Sequence, residues 1–411
     1  MTIGGLRIAA AQALIGRDLS ALANPVLTVA DGRIEAIDQG GEADVDLGKV
    51  LLIPGLINAH THVGDSALKE VGYGRSGWEI VMPPDGVRHV RLRQLSRDAL
   101  VASMQATARY MLRRGIVAFG DFREQGEAGV DALIEATADI PIEAVIYGRH
   151  ATPPQHSDAD FGDGVGLPDD YRSEIQTVVR VAGGFSVVTA NDTTDPGLRE
   201  TGELVRAAGG RLAVHAVEDA RYRDESIRRA GRGDVERILD CLKPDHIVHM
   251  TAANASELDM VAAAGIPVVA CPRMQAVLGN GVPPVLEMLK REMVVALGTD
   301  NAMLTSPDLL REMDFLSRVL RAQSHDPSTP SPKQVLAMAT VNAARALGID
   351  DRLGWLDAGK DATFVAMDLT SDSLVGTSDP LASVVSRAEE SDIAAVVVRG
   401  KLVVGDVPAL G

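Results

Sequence analysis

The sequence predicts an α/β fold: a (β/α)8 TIM-like barrel with a small β-sandwich domain built from both chain ends. Three observations predict it. Short apolar segments and helical patterns alternate eight times between residues 51 and 322. Metal-ligating residue types recur at the C-terminal ends of those apolar segments. Residues 1–52 and 357–411 read instead as strands joined by turns. The division that follows is a composite β domain from 1–52 and 357–411, and a barrel over 53–356.

Each element has its own justification. In the first end, Val26-Leu-Thr-Val-Ala, then Asp31-Gly32, then Arg-Ile-Glu-Ala-Ile is a hairpin pattern. In the other end, residues 362–367 and 393–398, a turn at Arg399-Gly400 and the segment from Leu402 repeat that character. Chain termini often lie close together, so both ends belong to one unit. The predicted barrel strands are 51–59, 116–122, 142–149, 184–190, 210–217, 246–250, 266–271 and 294–299. The predicted helices are 98–114, 127–138, 169–182, 196–208, 223–241, 254–264, 284–292 and 307–322. The first carries Leu100, Met104, Met111 and Leu112 on a stripe, with Ser96 as N-cap. Eight strands each followed by a helix indicate the barrel. A doubly wound sheet is the alternative, and the count of eight favours the barrel. Long loops at 63–95 and 151–168 belong at its C-terminal mouth. The acidic run Asp158 to Gly164 lacks calcium-loop spacing and reads as a solvated loop. The cluster Arg88, His89, Arg91, Arg93 and Arg97 reads as a solvated face, with an anion-binding role as the alternative.

Composition excludes several function classes. A net charge of −17 argues against nucleic-acid or anionic-membrane partners. No apolar stretch reaches the length of a membrane span. The N-terminus shows no basic region followed by an apolar run, so a cytoplasmic location is expected. Two cysteines, Cys241 and Cys271, are too few for a disulfide framework. The expected partner is a small-molecule substrate, and a homo-oligomer is left open.

The first predicted strand runs into His60-Thr-His62. Residues i and i+2 of a strand share a face, which places two imidazoles about 6–7 Å apart along the chain. Alone, the pattern is equally that of two unrelated surface histidines. The later strand ends change this: His215 and Glu218 end strand five, His249 ends strand six, and Asp300 ends strand eight. Three histidines and one aspartate suit one Zn²⁺ or Fe²⁺. Zinc is expected, with iron the alternative.

These motifs resemble the amidohydrolase superfamily, in its branch of mononuclear deaminases and chlorohydrolases. The resemblance spans the whole chain. It rests on Pro54-Gly-Leu-Ile-Asn-Ala-His60-Thr-His62, His215-x-x-Glu218, Leu297-Gly-Thr-Asp300, Ala339-Thr-Val-Asn342-Ala-Ala, Gly359-Lys-Asp-Ala and Val396-Val-Val-Arg-Gly-Lys. It implies that His60, His62, His215 and Asp300 are metal ligands. It also implies that Glu218 shuttles protons, that His249 orients the water, and that Asp300 accepts the water's proton. Cys271-Pro272, 22 residues beyond His249, selects His249 over His246 within that pattern. Other branches bridge two metals with a modified lysine, and no lysine occurs between Lys69 and Lys243. One metal is therefore expected.

The chain departs from the resembled pattern at two places. Asp300 continues Asn301-Ala-Met, and strand seven ends Ala270-Cys-Pro-Arg273-Met-Gln275. These positions line the expected pocket, so the substrate need not be a common nucleobase. Arg123, Arg149, His150, Asn191 and Arg273 stand at strand ends as candidate substrate contacts, with Glu124 beside them. Several arginines suggest a carboxylate or phosphate on the substrate. The expected activity is hydrolysis of a non-peptide C–N bond, deaminating an amino-substituted heterocycle. The alternatives are hydrolysis of a cyclic amide or N-acyl bond, as in imidazolonepropionase-like or prolidase-like relatives, and a non-catalytic relative serving in assembly.

Overall fold

The computed structural model describes residues 5–405 apart from 83, 84 and 155. Its largest sheet is parallel. Strands Leu56–His62, Ile116–Arg123, Glu143–Gly148, Gly184–Val187, Arg211–Ala216, His246–His249, Val268–Ala270 and Val295–Leu297 pair in chain order. A short strand, Asp300–Asn301, pairs with the first of them, Asp300 opposite Thr61 and Asn301 opposite His62. Only Gly298 and Thr299 separate it from Val295–Leu297. The first and last strands of the order therefore meet, and the sheet curls into a TIM-like barrel. The Gly298 amide donates to Ala270 O at 3.0 Å and the Thr299 amide to His60 O at 3.1 Å across that seam.

The predicted strand over 51–59 divides in two. Val50–Pro54 pairs antiparallel with Phe364–Asp368 in a different sheet, and Leu56–His62 opens the barrel. Every residue of both strands is buried, so the apolar run carries no mark of the change of sheet. Gly55 sits between them, where a Cβ would lie 2.5 Å from Val117. The predicted helix over 223–241 also divides. Ala220–Ala230 stops at Gly231 in a left-handed conformation, and Asp234–Arg237 restarts after Gly233. Other helices keep their predicted places. Arg97–Arg113 is capped by Ser96, whose side chain accepts from the Ala99 amide, and it buries Leu100, Met104, Met111 and Leu112.

The two long mouth loops are structured. The first contains Val63–Leu68, Gly77–Val81 and Val87–Leu92 as short helical turns. In the second, Asp158–Asp163 is a short solvated helix and not a loop, because Ser157 and Asp160 form a reciprocal capping box.

The chain ends form two further sheets, and both ends contribute to the second of them. One contains Leu6–Ala9, Pro25–Ala30, Arg33–Gln39 and Val45–Asp46. The other contains Gln12–Ile15, Ser20–Ala23, Val50–Pro54, Phe364–Asp368, Ile393–Val398 and Lys401–Gly405. The predicted hairpin turns at Asp31-Gly32, where both residues have positive φ, 49° and 77°. Ile8, Leu27, Leu52, Phe364 and Val397 form one apolar cluster between strands of both sheets. A separate cluster, with Ile57, Phe122, Tyr147, Val248 and Ala296, packs on the barrel strands. No helix among the described residues is long and apolar enough to cross a membrane.

Candidate metal centre and active site

His60 and His62 leave the end of Leu56–His62 with ring centroids 4.9 Å apart. Closing the barrel brings Asp300 to them: its Oδ1 lies 3.3 Å from His60 Nε2 and 3.5 Å from His62 Nε2. His215, from the fifth strand, places Nε2 3.4 Å from His60 Nε2. His60, His62 and His215 form one group of converging donor atoms; His60, His249 and Asp300 form another. All five are buried.

A divalent cation fits this set. His215 Nδ1 is 3.0 Å from Val188 O, and His62 Nδ1 is 3.1 Å from Phe122 O. A carbonyl only accepts, so both Nδ1 atoms carry the proton and both Nε2 lone pairs face inward. Burial pushes His62 down to about 3 and His215 well below the usual imidazole range, which keeps both rings neutral. Burial alone would raise the Asp300 carboxyl, but the His60 hydrogen bond and nearby imidazoles hold it below its ordinary value. Four-coordinate zinc with bonds near 2.0–2.1 Å would space its ligand atoms about 3.3 Å apart. Three of the spacings among His60, His62, His215 and Asp300, at 3.3, 3.4 and 3.5 Å, match that edge.

Three strand ends leave the barrel with strained backbone. Val217 has φ 39°, His249 φ 80° and Asp300 φ 59°. Each left-handed non-glycine residue costs roughly 1–3 kcal/mol, and such strain collects at functional sites. Asp234 accepts from the Val217 amide at 2.9 Å and holds the first of these turns. The turn presents Glu218, whose Oε2 accepts from Tyr222 Oη at 3.1 Å and lies 3.8 Å from His249 Nε2. Gln275 Nε2 donates to Glu218 Oε1 at 3.1 Å.

The seam itself depends on Gly298. A Cβ there would lie 2.7 Å from His60 Cβ and 2.9 Å from His60 N. Gly298→Ala is expected to displace His60, cost about 1–3 kcal/mol as an overpacked core position, and lower metal content. Thermal unfolding and elemental analysis check both effects; a variant with unchanged metal content and melting temperature would show that the seam relaxes.

The five candidate substrate contacts separate. Arg149 lines the cavity with His62, Glu218, Tyr222, Asp300 and Met274, and its guanidinium pairs with Glu124. The other four are absent from that lining. Arg123 is fully buried, pairs with Glu124, and packs where a Cβ on Gly64 would stand. His150 Nδ1 lies 2.7 Å from Glu174 Oε2. Asn191 Nδ2 donates to Tyr222 O at 2.9 Å. Arg273 pairs with Glu312 and donates to Ser306 O at 3.2 Å. These side chains tie strand ends to helices and loops, so their neighbours are protein carboxylates and carbonyls.

Arg88 corrects the sequence reading in the other direction. It is buried, not on a solvated face; it lines the cavity, and it reaches Glu124 at 3.0 Å and Asp65 at 3.2 Å. Arg88 and Leu92, four residues apart on Val87–Leu92, are its two buried positions. That spacing was the available signal. Tyr222 and Gln275 were also missed as partners of Glu218; Tyr222 stands one helical turn beyond it. Burial opposes ionisation of Glu124, but Arg149, Arg123 and Arg88 hold it well below its ordinary range. Asp65, by contrast, is pushed up to about 7 by burial. The corner beside His62 therefore carries three guanidiniums around one firmly ionised carboxylate.

With this geometry in place, known proteins show what the chain is similar to. The model of the amidohydrolase family matches residues 51–403. A putative aminohydrolase of Methanothermobacter thermautotrophicus is 33% identical over 383 residues, covering 92% of this chain and 94% of that protein. The 5-methylthioadenosine/S-adenosylhomocysteine deaminase of Moorella thermoacetica is 27% identical over 406 residues, covering 94% and 91%. Among solved structures, E. coli guanine deaminase superposes with a TM-score of 0.80 at 18% identity, covering 97% of this chain and 99% of its own. Atrazine chlorohydrolase TrzN from Arthrobacter aurescens TC1, complexed with zinc, gives 0.79 at 18%, covering 97% and 95%. The family match over most of the sequence and the 33% identity across nearly the full length of the archaeal relative lead to one conclusion: the chain belongs to the amidohydrolase family.

Proposed function

We propose that this protein is a metal-dependent aminohydrolase that releases ammonia from an amino-substituted heterocycle, with one zinc ion held by His60, His62, His215 and Asp300. The observation that carries the reading is the approach of Asp300 to His60 and His62, and of His215 to His60, beside a carboxylate, Glu218, held by Tyr222 and Gln275. Relatives named as deaminases support it. The absence of lysine between Lys69 and Lys243 supports one metal over two. In this reading residues 53–356 are the catalytic barrel, and 1–52 with 357–411 form the accompanying β domain.

A divalent cation at this centre supplies the Lewis acidity that brings a water toward a neutral pKa. The protein's side chains do the rest. His249 donates a hydrogen bond that orients the attacking oxygen toward the amino-bearing carbon. Asp300 accepts the proton that the oxygen loses. Glu218 takes the other proton of the water and delivers it to the ring nitrogen, and the proton held by Asp300 passes to the departing amine, so C–N cleavage yields a carbonyl and ammonia. Met274, Leu278, Val81 and Val188 supply the apolar wall against which a flat ring packs.

The test is ammonia release by metal-analysed protein from 5′-methylthioadenosine, S-adenosylhomocysteine, guanine and cytosine. Hydrolysis of a cyclic amide without ammonia would overturn the deaminase assignment.

Arg149 and Arg88 would meet an anionic substituent on the substrate. Arg149→Met is expected to raise KM for a carboxylate-bearing substrate about ten- to a hundredfold, the loss of one charge-assisted hydrogen bond. Metal content should be spared, because Glu124 keeps Arg88 and Arg123. Lysine should rescue in part, since it offers a point charge without the planar fork. Comparison of charged and uncharged substrates checks this, and an equal effect on both would remove the anion from the proposal.

A further inference from the structure

Gln275 lies on Pro272–Leu278, the helix that follows the seventh barrel strand, and is fully buried. Its orientation follows from its neighbours. Glu218 Oε1 stands 3.1 Å away, and a carboxylate oxygen accepts, so the atom facing it is the amide nitrogen. Gln275 Oε1 then accepts from Asn280 Nδ2 at 2.8 Å, which satisfies the other end of the amide. The opposite orientation would set two carbonyl-type oxygens against each other in a buried site.

The same nitrogen lies 3.1 Å from His249 Nδ1. A primary amide has two hydrogens; one serves Glu218 and the other points to His249. Nδ1 therefore accepts, which leaves Nε2 as the ring's N–H. Nε2 is the atom that faces Glu218 Oε2 at 3.8 Å. His249 stacks on His215 with centroids 4.9 Å apart, which opposes turning the ring over.

We propose that Gln275, fixed by Asn280, is a positioning residue that sets His249 as the Nε2–H tautomer and aims Glu218 at the reacting atoms. The proposal rests on the roles given above to His249 and Glu218. One amide thereby coordinates the two groups that handle the water and the protons. A donor at His249 Nε2 can hydrogen-bond the attacking oxygen, whereas the other tautomer would present a lone pair to it.

The experiment reads the tautomer directly. The zinc-loaded protein, labelled with ¹⁵N-histidine, has nine histidines, and His249→Asn assigns the resonance of His249. Long-range ¹H–¹⁵N spectra at pH 8 should show Nε2–H for His249. Gln275→Glu keeps the shape but places an acceptor against Nδ1, so His249 should switch to Nδ1–H. Gln275→Met removes the donor without adding an acceptor and should give a tautomer mixture. Zinc content is measured in each variant to show that the centre is intact. On the heterocycle that wild type deaminates, Gln275→Glu should lower kcat about 10²-fold, within the general acid–base range, with KM changed far less. An Nδ1–H ring in wild type would overturn the proposal. So would spectra and kcat unchanged in both variants while Glu218→Gln is inactive. Failure of wild type to release ammonia would count against the aminohydrolase reading, and the spectra would still decide the role of Gln275.

Discussion

Glu218→Gln is expected to keep its metal and lose about 10²–10⁴-fold in kcat, the span that general acid–base catalysis contributes. The substitution is nearly isosteric. It leaves an oxygen to accept from Tyr222 Oη or from Gln275 Nε2, but it cannot carry a proton from one atom to another. Glu218 stands 3.8 Å from His249 and outside the two groups of converging donor atoms, so occupancy of the centre does not depend on it. Elemental analysis should return wild-type metal, and single-turnover measurements should place the loss in the chemical step. Normal turnover by this variant would remove the proton-shuttle mechanism. Loss of metal together with activity would instead mean that Glu218 holds the centre together.

The second large effect is expected at the ligands. His60→Ala or Asp300→Ala should lower metal affinity by more than the 10–100-fold typical of groups that merely orient ligands. Activity should fall with occupancy, below about one-thousandth of wild type, because free water has a pKa near 15.7 against about 7 at such a centre. His60 is the more informative position. Its Nε2 faces both Asp300 and His215, and its ring meets Phe122 edge-on at 4.5 Å, so its loss opens both the centre and the core below. The activity-to-metal ratio across partially loaded samples is the check. A native preparation holding two metals per chain would overturn the mononuclear argument. Full activity in a metal-depleted sample would overturn the role of the cation itself.

Much of the site is written in local spacing. His60 and His62 share a strand face because the strand repeat is two residues, and no other part of the molecule is needed to say so. The eightfold alternation of apolar segment and helix put His215, His249 and Asp300 at strand ends, and the structure brings all three to His60. Boundaries were less legible where burial was uniform. The change of sheet at Gly55 lies within a continuous buried run, and the break at Gly231 interrupts a helical pattern that reads as continuous.

The substrate contacts show the other limit of local reading. Arg123, His150, Asn191 and Arg273 stand near strand ends as Arg149 does, yet only Arg149 of the five lines the cavity, and the others are tied to Glu124, Glu174, Tyr222 and Glu312. Arg88 looked solvated because four other basic residues surround it in the chain, and the fold buries it alone on the inner face of a short helix. Periodicity and strand-end chemistry are properties of a few consecutive residues, so the sequence by itself determined the barrel and its candidate ligands. Which guanidinium reaches the cavity, and which amide spans Glu218 and His249, depends on side chains far apart in the chain that meet only when the barrel closes. Burying a charge or an amide requires a partner, and only the tertiary structure decided which partners those were.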